Sequence, residues 1–232
     1  MQYERMRKGI FRSRPNRFIA YVELDGRQEI CHVKNTGRCK ELLIPGAVVC
    51  VQEAENPNRK TGFDLIAVQK GERLINMDSQ IPNRVFAQWL REGGLPGLTL
   101  IKPEQRFGSS RLDFYLEAGE RKIYAEVKGV TLERDGVVLF PDAPTERGVR
   151  HLEELCACVK QGYEAWAVFI IQMENVRRFS PSDETHPAFG TALRRAQEKG
   201  VRILALECHV TPDSIEARRE VPICLFREET EN

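Results

Sequence analysis

The 232-residue sequence lacks the features that mark several common classes of protein. No apolar run approaches the roughly 20 residues of a membrane helix, and the start, MQYERMRKGIFRSRPNR, has no hydrophobic signal core. The seven cysteines are an odd number without a CxxC pair, and Cys156 and Cys158 point to different faces of a predicted helix. The sequence therefore predicts a cytoplasmic protein with reduced thiols and no membrane segment.

An excess of one charge is also absent, because 35 basic residues face 34 acidic ones and the net charge is +1. Bulk charge therefore gives no sign of a nucleic-acid partner. The basic residues are nevertheless concentrated at the start, where residues 1–17 carry a local charge of +5. Two interpretations stay open, a phosphate-binding cluster or a solvated basic terminus. The residues concerned are six bases and one acid, namely Arg5, Arg7, Lys8, Arg12, Arg14, Arg17 and Glu4.

Short strand patterns separated by turns fill residues 18–78. Asp25-Gly26 lies between two alternating segments and predicts a tight hairpin. About five strands in such a short stretch favour a small barrel of the oligonucleotide-binding (OB) type. The segment GRCKELLIPG, residues 37–46, is predicted to hold a short helix between strands.

After residue 80 the pattern changes to alternating helices and strands. Helical spacing begins in SQIPNRVFAQWLREGG, and strands are predicted at 99–106, 111–117, 121–128, 165–172 and 201–208, with helices at 146–161 and 187–199. Thr145 is predicted to cap the helix at 146–161, and Gly162 and Gly200 to end the two long helices. The fold class is α+β with two domains, a small barrel over residues 1–80 and an α/β domain with a mixed sheet over 81–232.

The segment SRLDFYLEAGERKIYAEVKGV reads as a β-hairpin with a chemical function. A two-residue turn at Gly119-Glu120 sets a register in which Asp113 faces Glu126. Directly opposed side chains lie close enough for the two carboxylates to repel each other unless a cation lies between them. In the same register Arg111 meets Lys128, which gives a second like-charge pair.

Two carboxylates at this distance suit a hard divalent cation, Mg²⁺ or Mn²⁺. Lys128 would then lie beside the metal-bound water, where it orients or deprotonates the nucleophile and stabilises charge on phosphate. Glu104, on the preceding predicted strand, is a candidate outer or second-metal ligand. The alternative is that Glu126 and Lys128 form ordinary salt bridges on a solvated sheet face, because acid-x-Lys is a common pattern.

The segment LFPDAPTERG leads into the predicted helix at 146–161. Asp142 follows the Glu-Val-Lys motif instead of preceding it, so it is assigned to the turn before the helix. Arg147 and His151 are four residues apart and share a helix face near an N-terminus that favours anions. Both a phosphate-binding role and a structural role at the core edge stay open for them.

Several of these motifs together resemble a known family. Asp113 followed by Glu126-Val127-Lys128 is similar to the metal site of restriction-endonuclease-like PD-(D/E)xK nucleases. RFIAYV, NTGR, SRLDFYL, AEVKGVTL, FPDAPTERGVRHLEEL and RFSP resemble the sugar fermentation stimulation protein A (SfsA) family over nearly the whole chain. The resemblance implies an OB barrel joined to a nuclease-like domain.

The resemblance also assigns residues, position by position. The nuclease-like site matches Glu104, Asp113, Glu126 and Lys128, the segment after it matches Arg147 and His151, and the barrel signature matches Asn35, Thr36, Gly37 and Arg38.

The resulting hypothesis is a DNA-binding, or RNA-binding, protein with a divalent-metal-dependent nuclease site. Asp113 and Glu126 hold the metal with Glu104, Lys128 serves the nucleophile, and the nucleic acid contacts six side chains. These are Arg17, Asn35, Arg38, Arg111, Arg147 and His151. The rival hypothesis is a DNA-binding regulator of sugar-metabolism genes whose nuclease-like domain does not cleave, although no helix-turn-helix stretch supports it.

Overall fold

The structure is a computed structural model that describes residues 1–35, 37, 39–56, 58–108 and 110–226. Thr36 and Arg38 of the barrel signature lie outside the described residues. In the described part of the chain, no helix has the length and apolar character to cross a membrane.

The first third of the chain forms a closed β-barrel. Its strands follow the order β3-β2-β1-β4-β5, and a parallel pairing of β3 with β5 closes the circle. This five-stranded arrangement confirms the predicted OB-type barrel. The strands are β1 Met6–Asn16, β2 Ile19–Leu24, β3 Arg27–Val33, β4 Val48–Glu53, β5 Phe63–Lys70 and β6 Arg73–Asn76.

Two details of the barrel differ from the sequence prediction. The segment 37–46 holds no helix in its described part; its backbone makes one turn in which Leu42 and Leu43 donate to Cys39 O. That prediction was wrong, because Leu42 and Leu43 are buried in the barrel core and core packing sets the local backbone. The predicted hairpin at Asp25-Gly26 is confirmed by the pairing of Leu24 with Arg27 and by positive φ at both turn residues.

The basic N-terminal segment proves to be a barrel strand. Arg5, Arg7 and Arg12 form ion pairs with acids, and Arg14 donates to the carbonyl oxygens of Arg17, Asn35 and Gly37. The acidic partners are Glu55 for Arg5, Asp25 and Glu53 for Arg7, and Glu23 for Arg12. Much of the local charge of +5 is therefore neutralised within the barrel, and Arg17 is the exposed arginine at its end.

The rest of the chain builds a mixed sheet with helices on both faces. The sheet has the order β15-β14-β12-β9-β8-β7, with β9, β12 and β14 parallel, and a small sheet β10-β11-β13 lies beside it. The helices are α1 Pro82–Trp89, α2 Glu146–Lys160 and α3 Pro187–Glu198, and a π-helical turn, Leu90–Gly94, follows α1. The strands are β7 Leu98–Phe107, β8 Ser110–Ala118, β9 Arg121–Val130, β10 Leu132–Arg134, β11 Val137–Phe140, β12 Glu164–Ile171, β13 Arg178–Pro181, β14 Arg202–Thr211 and β15 Ser214–Glu220.

Local signals in the sequence set the ends of these elements. The Thr145 hydroxyl accepts a hydrogen bond from Gly148 N at 3.0 Å, which confirms the predicted cap of α2. Gly162 and Gly200 have φ of 87° and 92°, the left-handed conformation that ends a helix without a Cβ clash. The helix-strand alternation predicted for this half is thus confirmed.

Buried polar groups join the barrel to the second half of the chain. The Gln172 side chain, 1% exposed, donates to the carbonyl and amide oxygens of Asn76 and to Asp78 O, each at 3.1 Å. Asn76 in turn donates to Tyr3 Oη at 3.0 Å. A second contact forms where Lys70 and Arg73 pair with the buried carboxylate of Glu133. The division of the chain at residue 80 stays a prediction, but these contacts hold its two sides together.

We expect Gln172→Ala to lower the free energy of unfolding by about 3 kcal/mol, because it leaves buried acceptors of Asn76 and Asp78 without a donor. Urea denaturation measures the change. The matched control is Gln69→Ala, which removes a solvent-exposed bond to Gly71 O and should cost less than about 0.5 kcal/mol. Equal losses for the two variants would contradict the role assigned to this joint.

Candidate metal and phosphodiester site

The hairpin of β8 and β9 carries the candidate site. Ala118 pairs with Arg121 across the turn, and the register continues to Phe114 opposite Ala125, as predicted. At the next position a side chain replaces the backbone as the hydrogen-bond acceptor: Asp113 Oδ2 accepts a hydrogen bond from Val127 N at 2.8 Å. The register therefore places Asp113 beside Glu126 on the polar face of the sheet.

The predicted pairing of Arg111 with Lys128 was wrong. Within the described part of these strands, hydrogen-bonded pairing of β8 with β9 ends at Phe114. Arg111 instead lies opposite Arg106 of β7 and forms an exposed ion pair with Glu104 at 3.2 Å. The physical reason is that Val127 N donates to the Asp113 carboxylate, so the backbone ladder between β8 and β9 does not continue as far as Arg111.

Glu104 lies near the hairpin carboxylates but is oriented outward. The pairs on either side of it, Pro103 with Phe114 and Gln105 with Leu112, place it opposite Asp113. Its φ of 51° is unusual for a residue other than glycine, and its side chain is 70% exposed. Glu104 therefore faces solvent beside Asp113 instead of lying in the buried part of the site.

His151 on helix α2 fixes the second carboxylate of the pair, that of Glu126 on β9. Glu126 Oε1 accepts hydrogen bonds from Lys128 Nζ at 2.5 Å and from the buried ring nitrogen Nδ1 of His151. Arg147 Nε donates to the other ring nitrogen of His151 at 3.2 Å, so Nδ1 carries the proton that His151 donates to Glu126. The (i, i+4) pair predicted on this helix face thus acts on Glu126.

The electrostatics of the two carboxylates differ. Burial raises the pKa of Asp113 and the neighbouring Glu126 raises it further, against hydrogen bonds from Val127 N and Asn83 and the charge of Lys128. Burial also disfavours the ionised form of Glu126, but the hydrogen bond from His151 and the charge of Lys128 outweigh it and lower its pKa. The pair therefore combines Glu126, whose ionised form is stabilised, with Asp113, whose ionisation is disfavoured.

One oxygen of this pair is left without a partner. Glu126 Oε2 is buried and finds no hydrogen-bond donor among the residues that the structure describes. A buried carboxylate oxygen without a donor is costly, and it lies beside Asp113, whose ionisation is disfavoured by a like charge. A hard divalent cation satisfies both conditions, so these residues fit such an ion. In the described chain, no compact group of three or more His, Cys, Asp or Glu ligands occurs.

Sequence reasoning missed Asn83. Its amide Nδ2 donates to Asp113 Oδ1 at 3.0 Å from the first turn of α1, so α1 orients one carboxylate and α2 the other. Asn83 is 30 residues from Asp113, and no local pattern in the sequence connects the two. Of the predicted nucleic-acid contacts, Arg17 and Asn35 lie on the barrel, Arg111, Arg147 and His151 lie around the carboxylates, and Arg38 is outside the described residues.

We expect Asp113→Asn to raise the stability of the metal-free protein by roughly 0.5–2 kcal/mol at neutral pH. The folded pKa of Asp113 is raised, so its ionisation costs stability as the pH rises above the ordinary carboxyl pKa of about 4. The gain should therefore vanish below that pH. Urea denaturation in EDTA measures it, with the exposed Asp135→Asn as control; a loss of stability in Asp113→Asn at neutral pH would contradict the expectation.

Comparison with known proteins places this geometry in a family. One family model, "SfsA N-terminal OB domain", matches residues 13–77, and a second, "Sugar fermentation stimulation protein RE domain", matches residues 80–214. A sugar fermentation stimulation protein homolog of Desulfitobacterium hafniense is 64% identical over 94% of this chain and 95% of its own length. A homolog from Clostridium beijerinckii is 57% identical over 97% of this chain and 100% of its own length.

A solved structure agrees with the sequence relatives. The structure of Pyrococcus furiosus SfsA in complex with Ca²⁺ has a TM-score of 0.87 and 31% identity, and covers 96% of this chain and 97% of that one. The architecture is therefore an OB barrel followed by a restriction-endonuclease-like domain, and the chain belongs to the sugar fermentation stimulation protein (SfsA) family.

Proposed function

We propose that this protein binds nucleic acid and hydrolyses phosphodiester bonds at the Asp113–Glu126 pair with the help of Mg²⁺ or Mn²⁺. The observation that carries the proposal is the buried Glu126 Oε2, which lacks a donor among the described residues and lies beside a second carboxylate. Such an arrangement is unfavourable in a purely structural role and favourable around a hard cation.

The metal would be held by Asp113 and Glu126, with Glu104 in an outer position. The relative from Pyrococcus furiosus was solved with Ca²⁺, an ion of the same hard, oxygen-binding class. A divalent ion supplies two things at such a site, a lowered pKa of bound water and neutralisation of phosphate charge. Glu104 is exposed, so its contribution would pass through water.

The remaining side chains have distinct roles in this proposal. Lys128 is 23% exposed and lies within reach of both Glu126 and His151, where its cation stabilises charge on the attacked phosphate and orients the nucleophile. His151, held by Arg147, fixes the Glu126 carboxylate. The Arg147 and Arg111 side chains are exposed at the edge of the site, where they would contact adjacent phosphates.

The barrel, residues 1–80, would guide the strand toward the nuclease-like domain, residues 81–232. Arg17 is exposed and its guanidinium lies 5.8 Å from the Phe18 ring centroid, a pairing of cation and aromatic surface that suits a single strand. Asn35 lies in the loop after β3, and Arg38 completes the proposed set outside the described residues. DNA and RNA are both candidate substrates.

We expect purified protein to cleave DNA or RNA in the presence of Mg²⁺ or Mn²⁺, and we expect EDTA to abolish this cleavage. Lys128→Met should lower kcat by about 10²–10³, the usual cost of removing one group that stabilises transition-state charge. Gel-based cleavage of labelled oligonucleotides measures the rate. Lys122→Met is the matched control, because Lys122 lies on the same strand but is exposed and pairs with Glu117 away from the carboxylates.

Two outcomes would contradict the nuclease proposal. One is the absence of cleavage of either nucleic acid by folded protein with either metal. The other is equal cleavage by Lys128→Met, Lys122→Met and the wild type. Tight DNA binding without cleavage, unchanged by Lys128→Met, would instead support a DNA-binding regulator.

We also expect the metal affinities to follow burial of the ligands. Glu126→Gln and Asp113→Asn should weaken Mn²⁺ binding by about 100-fold or more, because each removes a direct charge on the ion, whereas Glu104→Gln should weaken it by less than about tenfold. Isothermal titration calorimetry measures the affinities. Equal losses for Glu104→Gln and Glu126→Gln would show that the exposed acid is a direct ligand.

A further inference from the structure

A cleft of about 300 Å³ opens between the barrel and the nuclease-like domain, next to the proposed catalytic residues. Its floor begins at Gly129, the residue that follows Lys128, and continues along Val130 and Thr131. Asn35 and Gly37 of the loop after β3 lie on one wall, and the segment before α2 forms the other. Under the proposed function, a strand with a phosphate at Glu126 and Lys128 would have a neighbouring nucleotide near the cleft mouth.

The walls of the cleft are held in place by close contacts. Arg14 donates to the carbonyl oxygens of Asn35 and Gly37, which fixes the barrel loop. Gly37 packs so tightly on Asp142 that a Cβ atom there would lie 2.4 Å from the carboxylate oxygen Oδ2. Contact between the barrel loop and the segment before α2 thus sets the width of the cleft.

The floor is equally constrained. A Cβ atom on Gly129 would lie 2.4 Å from Gln172 Oε1 and 2.8 Å from Pro82 Cγ, so these two side chains pack directly on the strand backbone at this point. Gln172 is the same buried residue that joins the barrel to the nuclease-like domain. The cleft is therefore a preformed feature of the joined domains.

The lining of the cleft combines apolar surface with a few polar groups. Val130, Phe140 and Pro141 supply apolar surface, whereas Asn35 and Asp142 supply polar groups. Asp142 is the single charged residue among the described residues of the lining. A carboxylate accepts hydrogen bonds from the amino group of a base.

The size of the cleft leads to a further restriction. A volume of about 300 Å³ lies at the lower end of ligand-binding pockets, a size that suits one ring system with its sugar. A base can enter such a space only when it is unpaired, as in a single strand or after extrusion from a duplex.

We infer that this cleft binds one unpaired nucleobase next to the scissile phosphate and that Asp142 accepts a hydrogen bond from the exocyclic amino group of that base. The inference rests on the proposed function, and it specifies the substrate as a strand unpaired at this position. Cytosine, adenine and guanine carry such an amino group, and thymine and uracil do not.

The test measures binding, so that it does not depend on cleavage. Fluorescence anisotropy in EDTA gives Kd values for oligo-dC and oligo-dT of about 12 nucleotides, within the usual site size of OB barrels, and for oligo-rC and oligo-rU. Wild-type protein should bind the cytosine strands about tenfold more tightly than the matched thymine or uracil strands. The DNA and RNA arms identify the sugar that the protein prefers.

Substitutions at the cleft test whether Asp142 causes the preference for cytosine strands. Asp142→Asn offers both a donor and an acceptor, so the ratio of the two Kd values should fall to about one, and Asp142→Ala should give the same ratio. Asp135→Asn, an exposed acid in the turn between β10 and β11, should keep the wild-type ratio. Ser79→Trp, which places a bulky ring at the cleft mouth, should weaken all four strands by about tenfold; thermal melting checks that each variant is folded.

The outcomes separate this inference from the proposed function. Binding without any preference for cytosine, or a preference that Asp142→Asn and Asp142→Ala leave intact, would overturn the base pocket and leave the nuclease proposal standing. Failure of folded wild-type protein to bind any of the four strands would also overturn the base pocket, and the cleavage assay with Mg²⁺ or Mn²⁺ then decides the nuclease proposal separately.

Discussion

The chemistry proposed for this protein depends on the register of one hairpin. The tight turn at Gly119-Glu120 aligns β8 with β9, and a shift by one residue would move the Glu126 side chain to the opposite face of the sheet. On that face it would meet the apolar packing of Ile123, Ala125 and Val127 instead of α2. A local turn signal thus decides which face of a central strand carries the acids.

Helices on both sides of the sheet orient the two carboxylates that the hairpin brings together. Asn83 from α1 and the backbone of Val127 fix the Asp113 carboxylate, and His151 from α2 fixes Glu126. Each carboxylate is thereby held in one orientation before any ligand arrives. A buried and a half-buried acid side by side reduce stability, and perturbed acids of this kind cluster at functional sites.

The sequence predicted those parts of the structure that are determined locally. The turns at Asp25-Gly26 and Gly119-Glu120 and the helix cap at Thr145 depend on residues within a few positions of each other, and the structure confirms them. Hydrophobic periodicity likewise located the long helices and the central strands of the second half.

Features that depend on distant partners could not be read from the sequence. β1 resembles a basic tail in the sequence, but Glu23 and Glu53 from other strands and Asp25 from the turn after β2 neutralise its arginines. The Asn83 contact and the departure of Arg111 toward Glu104 likewise result from how separate elements pack. The position of metal, nucleic acid and base in the site stays a proposal for the same reason, since each would be an additional partner.

The buried amide of Gln172 has a consequence for the kinetics of recognition. Because it joins the two domains through hydrogen bonds away from solvent, separating the domains would break buried hydrogen bonds, and a ligand that binds the joined form would not bear the entropic cost of closing two lobes. Under the proposed function, a ligand that needs the domains to separate would bind only at the cost of these bonds. Discrimination then takes place at first encounter, by shape, and changes in affinity among ligands that fit should appear mainly in how fast they leave.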